Sequence, residues 1–177
     1  ATPAVSASRT ALIGTHILAQ YAAGHTTDAL IDAAKNTPAV CVAAGPSLAK
    51  NVQLLLAPAV RRRVVVIAVQ TALRPLLDRG IRPDFVTAID YSAISSRFYE
   101  DLPPLPDVTR VAEPKAHPTV LDAYPGPIRC VRNPFDDQLL GDLARPITPI
   151  RSATTVAHLS FYLAQHLGCD PIMFIGQ

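Results

Sequence analysis

Short apolar runs separated by turn signals make up the hydrophobic pattern of this chain. Three such runs, at residues 40–44, 64–69 and 85–89, occur within fifty residues. Each is short and mostly apolar, which is typical of strands buried on both faces of a parallel sheet. Helical patterns lie between them, and Gly80 ends the second one, predicted over 71–79. The alternation predicts an α/β fold with a Rossmann-like, mostly parallel sheet and helices on both faces.

The second half of the chain continues this alternation with weaker signals. Prolines are frequent over residues 101–149 and predict loops between short elements. Among them we expect strands at 109–112 and 128–131 and a short helix at 117–123. The run 172–177 predicts a last strand. Before it, a helix is predicted from apolar residues at helical spacing, ended by Gly168: Val156, Leu159, Leu163 and Leu167.

The first residues form a separate unit in this interpretation. A helical pattern from Arg9 breaks near Gly24, and a second short helix is predicted up to Lys35. Residues 1–37 therefore form a short helical N-terminal lead-in that packs against the sheet, and residues 38–177 form the Rossmann-like domain. We expect the chain to be a fragment of a longer protein.

Turn and polar residues follow the predicted strands, and the carboxyl ends of parallel strands are where such folds bind ligands. The Gly-Pro-Ser turn at 45–47 offers backbone N–H groups and a helix N-terminus to a phosphate, although the fold alone also needs such turns. A bulky residue at Gly45 is expected to abolish binding and leave the fold intact. Ser152 either caps the last helix or contacts the ligand. The candidate ligand-binding residues are Gly45, Pro46, Ser47, Gln70, Thr71, Asp90, Ser152, Thr154 and Thr155.

Two side chains are the catalytic candidates. Asp90 follows the third strand and is the acidic residue best placed to contact a ribose, a metal or an acceptor, unless it caps the following segment. His158 lies one turn into the last helix and is either a general base or a surface residue. Asp84 precedes the third strand and is expected to pair locally.

Four sequence blocks carry a family resemblance. They are residues 38–48, residues 68–77, the segment 80–85 together with Asp90, and residues 154–177. In this order they resemble the MptE-like domain. The resemblance implies a transferase that binds a nucleotide or nucleotide-sugar. One activity it implies is that of motility accessory factors, glycosyltransferases that use a CMP-activated nonulosonic acid and modify protein acceptors such as flagellin. The alternatives are a 6-hydroxymethylpterin pyrophosphokinase and a non-catalytic nucleotide-binding scaffold.

Two positions depart from the family pattern. Ala43 stands where the family usually has a second glycine, and Gln70 stands where it often has an aspartate that helps to hold magnesium. A neutral amide is a poorer ligand for Mg²⁺ than a carboxylate. We therefore expect no metal site and assign no cofactor, with Mg²⁺ required only by the pyrophosphokinase alternative.

Composition excludes several other classes of protein. The net charge of +2 comes without a basic, aromatic-rich face, which argues against nucleic-acid binding. The cluster 61–63 (Arg-Arg-Arg) is expected to be a solvated loop at the end opposite the crevice. The absence of a long apolar run argues against a membrane span. Three cysteines in or beside apolar runs predict buried thiols in a reducing compartment, and so a cytoplasmic protein: Cys41, Cys130 and Cys169.

Overall fold

One parallel sheet organises the chain in the computed structural model, which describes residues 26–89, 92–113, 116–131, 150–151 and 155–177. All its recorded strand pairs are parallel. The strand order is β5-β4-β3-β2-β1-β6. The predicted Rossmann-like parallel sheet is confirmed. The strands are β1 (Ala39–Val42), β2 (Val65–Val69), β3 (Phe85–Ala88), β4 (Thr109–Ala112), β5 (Ile128–Cys130) and β6 (Ile172–Ile175).

Helices cover both faces of this sheet, as the sequence predicts. The α-helices are α1 (Leu48–Asn51), α2 (Pro58–Arg61), α3 (Gln70–Leu77), α4 (Pro118–Asp122) and α5 (Val156–His166). Short 3₁₀ helices lie at Asp28–Leu30, Val52–Leu56 and Ala93–Tyr99.

Strand β1 is buried on both faces of the sheet, which explains why its apolar run is continuous. Ala39 and Cys41 face α5 in one buried cluster, whereas Val40 and Val42 belong to the cluster that contains residues of α1 and α3. Successive side chains of a strand point to opposite faces, so a strand covered on both sides needs apolar residues at every position. The core therefore consists of two layers, one on each side of the sheet.

Two glycines end their helices as predicted. Gly80, after α3, and Gly168, after α5, both have φ of +74°, a conformation that glycine adopts without a Cβ clash.

Helix α1, which follows β1, is shorter than the apolar pattern suggests. Its α-helical part is only four residues long and continues as the 3₁₀ helix Val52–Leu56.

The described part of the lead-in packs against the end of α5. Leu30 and Ala34 contact the cluster that contains Leu163, and the ring Nε2 of His166 lies 2.9 Å from the carbonyl oxygen of Thr27. The predicted short helix up to Lys35 is wrong, because only the 3₁₀ helix Asp28–Leu30 forms before turns. The residues of the first helical pattern, 9–24, lie outside the described part of the chain.

The edge of the sheet formed by the amino ends of the strands is held by an ion pair. Arg61 Nη2 lies 2.9 Å from Asp84 Oδ1 and also donates to the carbonyl oxygen of Arg82 at 2.8 Å. Asp84 Oδ2 accepts from the N–H of Val66 at 2.7 Å. Local pairing of Asp84 is confirmed, whereas the solvated-loop interpretation is wrong for Arg61, whose guanidinium bonds to the fold.

The three cysteines are buried and unbonded to one another, as expected: Cys41, Cys130 and Cys169. Burial raises the pKa of Cys41 to about 12.

None of the helices in the described residues has the length and apolar character needed to cross a lipid bilayer.

Candidate functional site

The candidate site lies where the strand order of the sheet reverses. From β1 the chain proceeds to β2 and outward to β5, and it returns to pair β6 with the other side of β1. In open parallel sheets, ligands bind beyond the carboxyl ends of the strands at such a switch point. Here the turn 43–47, which follows β1, meets Gly176 and Gln177, which follow β6.

Hydrogen bonds join this turn to the end of β6. The N–H of Ala43 donates to the carbonyl oxygen of Ile175 at 2.9 Å, and the N–H of Gly45 donates to that of Gly176 at 2.6 Å. Ser47 Oγ donates to the carbonyl oxygen of Gln177 at 2.9 Å. Two of the donors expected to face a phosphate, the N–H of Gly45 and the hydroxyl of Ser47, therefore bond to the residues after β6.

Gly45 lies against the backbone that follows β6. A Cβ at this position would be 2.5 Å from the carbonyl oxygen of Gly176 and 2.9 Å from the carbonyl carbon of Gln177. The expectation that a bulky residue here leaves the fold intact is therefore wrong. The clash is with the protein's own backbone, independent of any ligand.

Two N–H groups of the turn remain unused. Within the described residues, the N–H groups of Ala44 and Ser47 donate no hydrogen bond, and Pro46 has no N–H to donate. Helix α1 is four residues long, so its dipole contribution is small. The turn can offer a ligand these two separate donors.

Helix α5 begins at a residue that packs on the same part of the core as this turn. Val156 packs against a buried cluster against which Ala43 and Ile175 also pack. The N-cap is Thr155, whose Oγ1 accepts from the N–H of His158 at 3.3 Å. The predicted N-cap at Ser152 is wrong, because the helix starts three residues later than that cap requires.

His158 is exposed on the first turn of α5. Its Nδ1 lies 3.3 Å from Thr155 Oγ1, and its ring stacks on Tyr162 with a centroid distance of 6.5 Å. The Thr155 hydroxyl can donate to a neutral ring at Nδ1, which leaves Nε2 as the N–H donor. An exposed imidazole held in this way can exchange protons with a ligand.

Gln70 and Thr71 follow β2 but differ in environment. Gln70 is only 3% exposed, and its Oε1 accepts from the Tyr99 hydroxyl at 3.0 Å. Thr71 is exposed on the first turn of α3. The oxygen of Gln70, the atom that could bind a hard cation, is thus engaged within the protein.

Two residues near these strand ends escaped the sequence interpretation. Glu113 follows β4 directly, is 7% exposed, and donates its N–H to the carbonyl oxygen of Ala88 at the end of β3. The rule that singled out Asp90 would have found it, because the strand at 109–112 was predicted. Tyr99 had no sequence signal, since its contact with Gln70 bridges residues 29 positions apart.

Asp90, Ser152 and Thr154 lie outside the described residues, so their contribution to a site stays a prediction. In the part of the chain that is described, no three His, Cys, Asp or Glu side chains form a group that could hold a metal ion.

The 6-hydroxymethylpterin diphosphokinase MptE-like family model matches residues 15–177. The chain belongs to this family. Comparison with curated protein sequences finds no match. Among solved structures, the MptE-like chain is similar to the MAf glycosyltransferase from Magnetospirillum magneticum AMB-1, with a TM-score of 0.68 and 23% sequence identity.

That likeness concerns the fold. The alignment covers 82% of this MptE-like chain and 24% of the glycosyltransferase chain. The chain therefore spans about a quarter of the length of that structure. Members of the family are transferases, and the substrate of this one has to be argued from its own residues.

Proposed function

We propose that this MptE-like chain is the nucleotide-binding part of a glycosyltransferase of the motility accessory type, with a CMP-activated nonulosonic acid as donor. The observation that carries the proposal is the engagement of Gln70 Oε1 by Tyr99 at 3.0 Å. Gln70 stands where the family often has a carboxylate that binds magnesium, and its oxygen already accepts a hydrogen bond within the protein. This favours a donor that reacts without a metal. A nucleoside monophosphate leaving group is such a donor, because its single phosphate can be stabilised by N–H donors.

In this proposal the site residues have separate roles. The N–H groups of Ala44 and Ser47 bind the departing phosphate, and His158 exchanges a proton with the acceptor. Asp90 contacts the ribose or the reacting sugar. The supporting geometry is the packing of the start of α5 and the turn after β1 against one buried cluster. A protein acceptor such as flagellin fits this class of reaction.

A second function, the diphosphotransferase alternative, is favoured by Glu113. Its N–H bonds to the end of β3, the strand that Asp90 follows. Two carboxylates after neighbouring strands are a common way to hold Mg²⁺ against nucleotide phosphates. This alternative predicts that ATP binds only together with magnesium.

Thermal unfolding of the 177-residue chain with CMP, CDP or ATP, each with Mg²⁺ or with EDTA, separates these functions. A nucleotide at a hundred times its Kd stabilises the folded state by about 2.7 kcal/mol, which raises the Tm of a chain of this size by roughly 5–10 °C. We expect CMP to do so equally in EDTA. Stabilisation by ATP that disappears in EDTA supports the diphosphotransferase, and no shift with any nucleotide contradicts both activities.

The same assay tests Asp90. The Asp90→Asn variant should weaken CMP binding by about tenfold, because a hydrogen bond to a charged group is lost, while its own Tm stays unchanged. Asp78→Asn, an exposed aspartate after α3, is the matched control. A lower Tm with unchanged affinity would instead identify Asp90 as a local cap.

A further inference from the structure

A buried aromatic and cationic cluster lies behind Gln70. Tyr99 ends the 3₁₀ helix Ala93–Tyr99 and is 3% exposed, and Tyr124 follows α4 and is 5% exposed. Their rings meet edge to face with a centroid distance of 5.3 Å. This arrangement is one of the favourable geometries for aromatic pairs.

Arg110 packs against the rings of both Tyr99 and Tyr124. Its guanidinium carbon lies 4.7 Å from the ring centroid of Tyr99 and 5.8 Å from that of Tyr124. The residue is fully buried in β4, and its Nη1 donates to the carbonyl oxygen of Val120 in α4. A cation over a ring in a dry environment attracts it strongly, so Tyr99 has little freedom to turn.

The two tyrosine hydroxyls have different partners. Tyr124 donates to the carbonyl oxygen of Val108 at 2.8 Å, a bond within the fold. Tyr99 donates to Gln70 Oε1 at 3.0 Å, at the carboxyl end of β2. A glutamine amide has one acceptor oxygen and two N–H donors. Because Tyr99 uses the oxygen, the amide is oriented, and in the described residues its Nε2 donates no hydrogen bond.

We propose that Tyr99, held by Arg110, is a positioning residue that makes Gln70 present its N–H groups to the ligand. The N–H groups of Gln70, which follows β2, then bind an anionic or carbonyl oxygen of the ligand. A carboxylate at the same position would instead bind a cation. The part about the ligand rests on the proposed function, whereas the orientation of Gln70 is independent of it.

Tyr99→Phe removes one oxygen and keeps the ring, and Tyr124→Phe is the matched control in the same cluster. The first readout is the side-chain amide resonance of Gln70 in ¹⁵N NMR, assigned from its loss in Gln70→Glu. We expect it to shift and its order parameter to fall in Tyr99→Phe, and to stay unchanged in Tyr124→Phe. An unchanged amide in Tyr99→Phe, or equal changes in both variants, overturns the proposal.

The second readout is the affinity for CMP by calorimetry. Tyr99→Phe should weaken it roughly five- to tenfold and Tyr124→Phe should leave it unchanged, although each loses one buried hydrogen bond. Equal affinities in the two variants, with a mobile Gln70 amide, overturn the ligand role. If wild-type protein binds no nucleotide while the amide responds as expected, the proposed function fails and the positioning of Gln70 stands.

Discussion

Gly45 and Gly176 lie where the backbone segments after β1 and β6 approach each other closely. A Cβ on Gly45 would meet the carbonyl oxygen of Gly176 at 2.5 Å, and a Cβ on Gly176, whose φ is +76°, would meet that of Ala43 at 1.9 Å. Both contacts are with backbone, which cannot turn aside as a side chain can. Each glycine is therefore required by the close approach of the segments after β1 and β6.

Gly45→Ala should lower the stability of the protein. The added methyl group forces the segments apart, and overpacking of this kind typically costs about 1–3 kcal/mol. The Tm should fall by several degrees without any ligand present. Ala44→Ser, which adds one atom to the exposed neighbouring residue, should leave it unchanged. A wild-type Tm for Gly45→Ala would mean that this packing is loose in solution.

Individual site residues were predictable to different degrees. Gln70 was placed correctly after β2, because strand ends follow from the apolar runs. That its oxygen bonds to Tyr99 could not be foreseen, since the contact depends on how the 3₁₀ helix Ala93–Tyr99 packs. Hydrogen bonds between side chains distant in sequence are set by tertiary structure and leave no local pattern.

Helix α5 illustrates the limits of predicting an element's start. Residues 152–155 contain three hydroxyl side chains, and the apolar spacing that begins at Val156 fits a start at any of them. The packing of Val156 against the buried cluster beside β1 is one constraint that the local sequence does not contain. The observed start at Val156 leaves Thr155 as the cap, so Ser152 was the wrong choice.

Thr155→Ala should destabilise the protein through the loss of this cap. The hydroxyl accepts from the N–H of His158, and removing an N-cap oxygen costs about 1 kcal/mol. Thr155→Ser keeps the oxygen and is the control. Urea unfolding should show a lower midpoint at an unchanged m-value for alanine only. Equal midpoints for the two variants would exclude a capping role for this hydroxyl.

At the scale of the whole molecule, the strands were predicted to within about two residues, because a parallel sheet covered on both faces demands continuous apolar runs. The order of the strands in the sheet was not predicted. The run at 172–177 carries no local signal for pairing with β1 rather than with β5. Strand order depends on long connections, and those are set by the packing of both helical layers.

The buried thiols should report global unfolding. With the pKa of Cys41 at about 12, roughly one thiol in ten thousand is thiolate at pH 8, and all three cysteines are buried. Alkylation by iodoacetamide should be slow in buffer and rapid in urea, and mass spectrometry should count zero or three labels. In Ser92→Cys, the added thiol at this exposed position should react at once. Fast native labelling of one site would reveal local opening.

The bond from Ser47 to Gln177 also has a consequence for the order of folding. It joins residues 130 positions apart, so the turn after β1 cannot reach its final conformation until β6 has docked. On the ribosome, where residues are added one at a time, β1 to β5 emerge before β6, the strand that pairs with β1. The candidate site is therefore completed only after β6 has been made, and a nascent chain without β6 has no finished turn with which to bind a ligand.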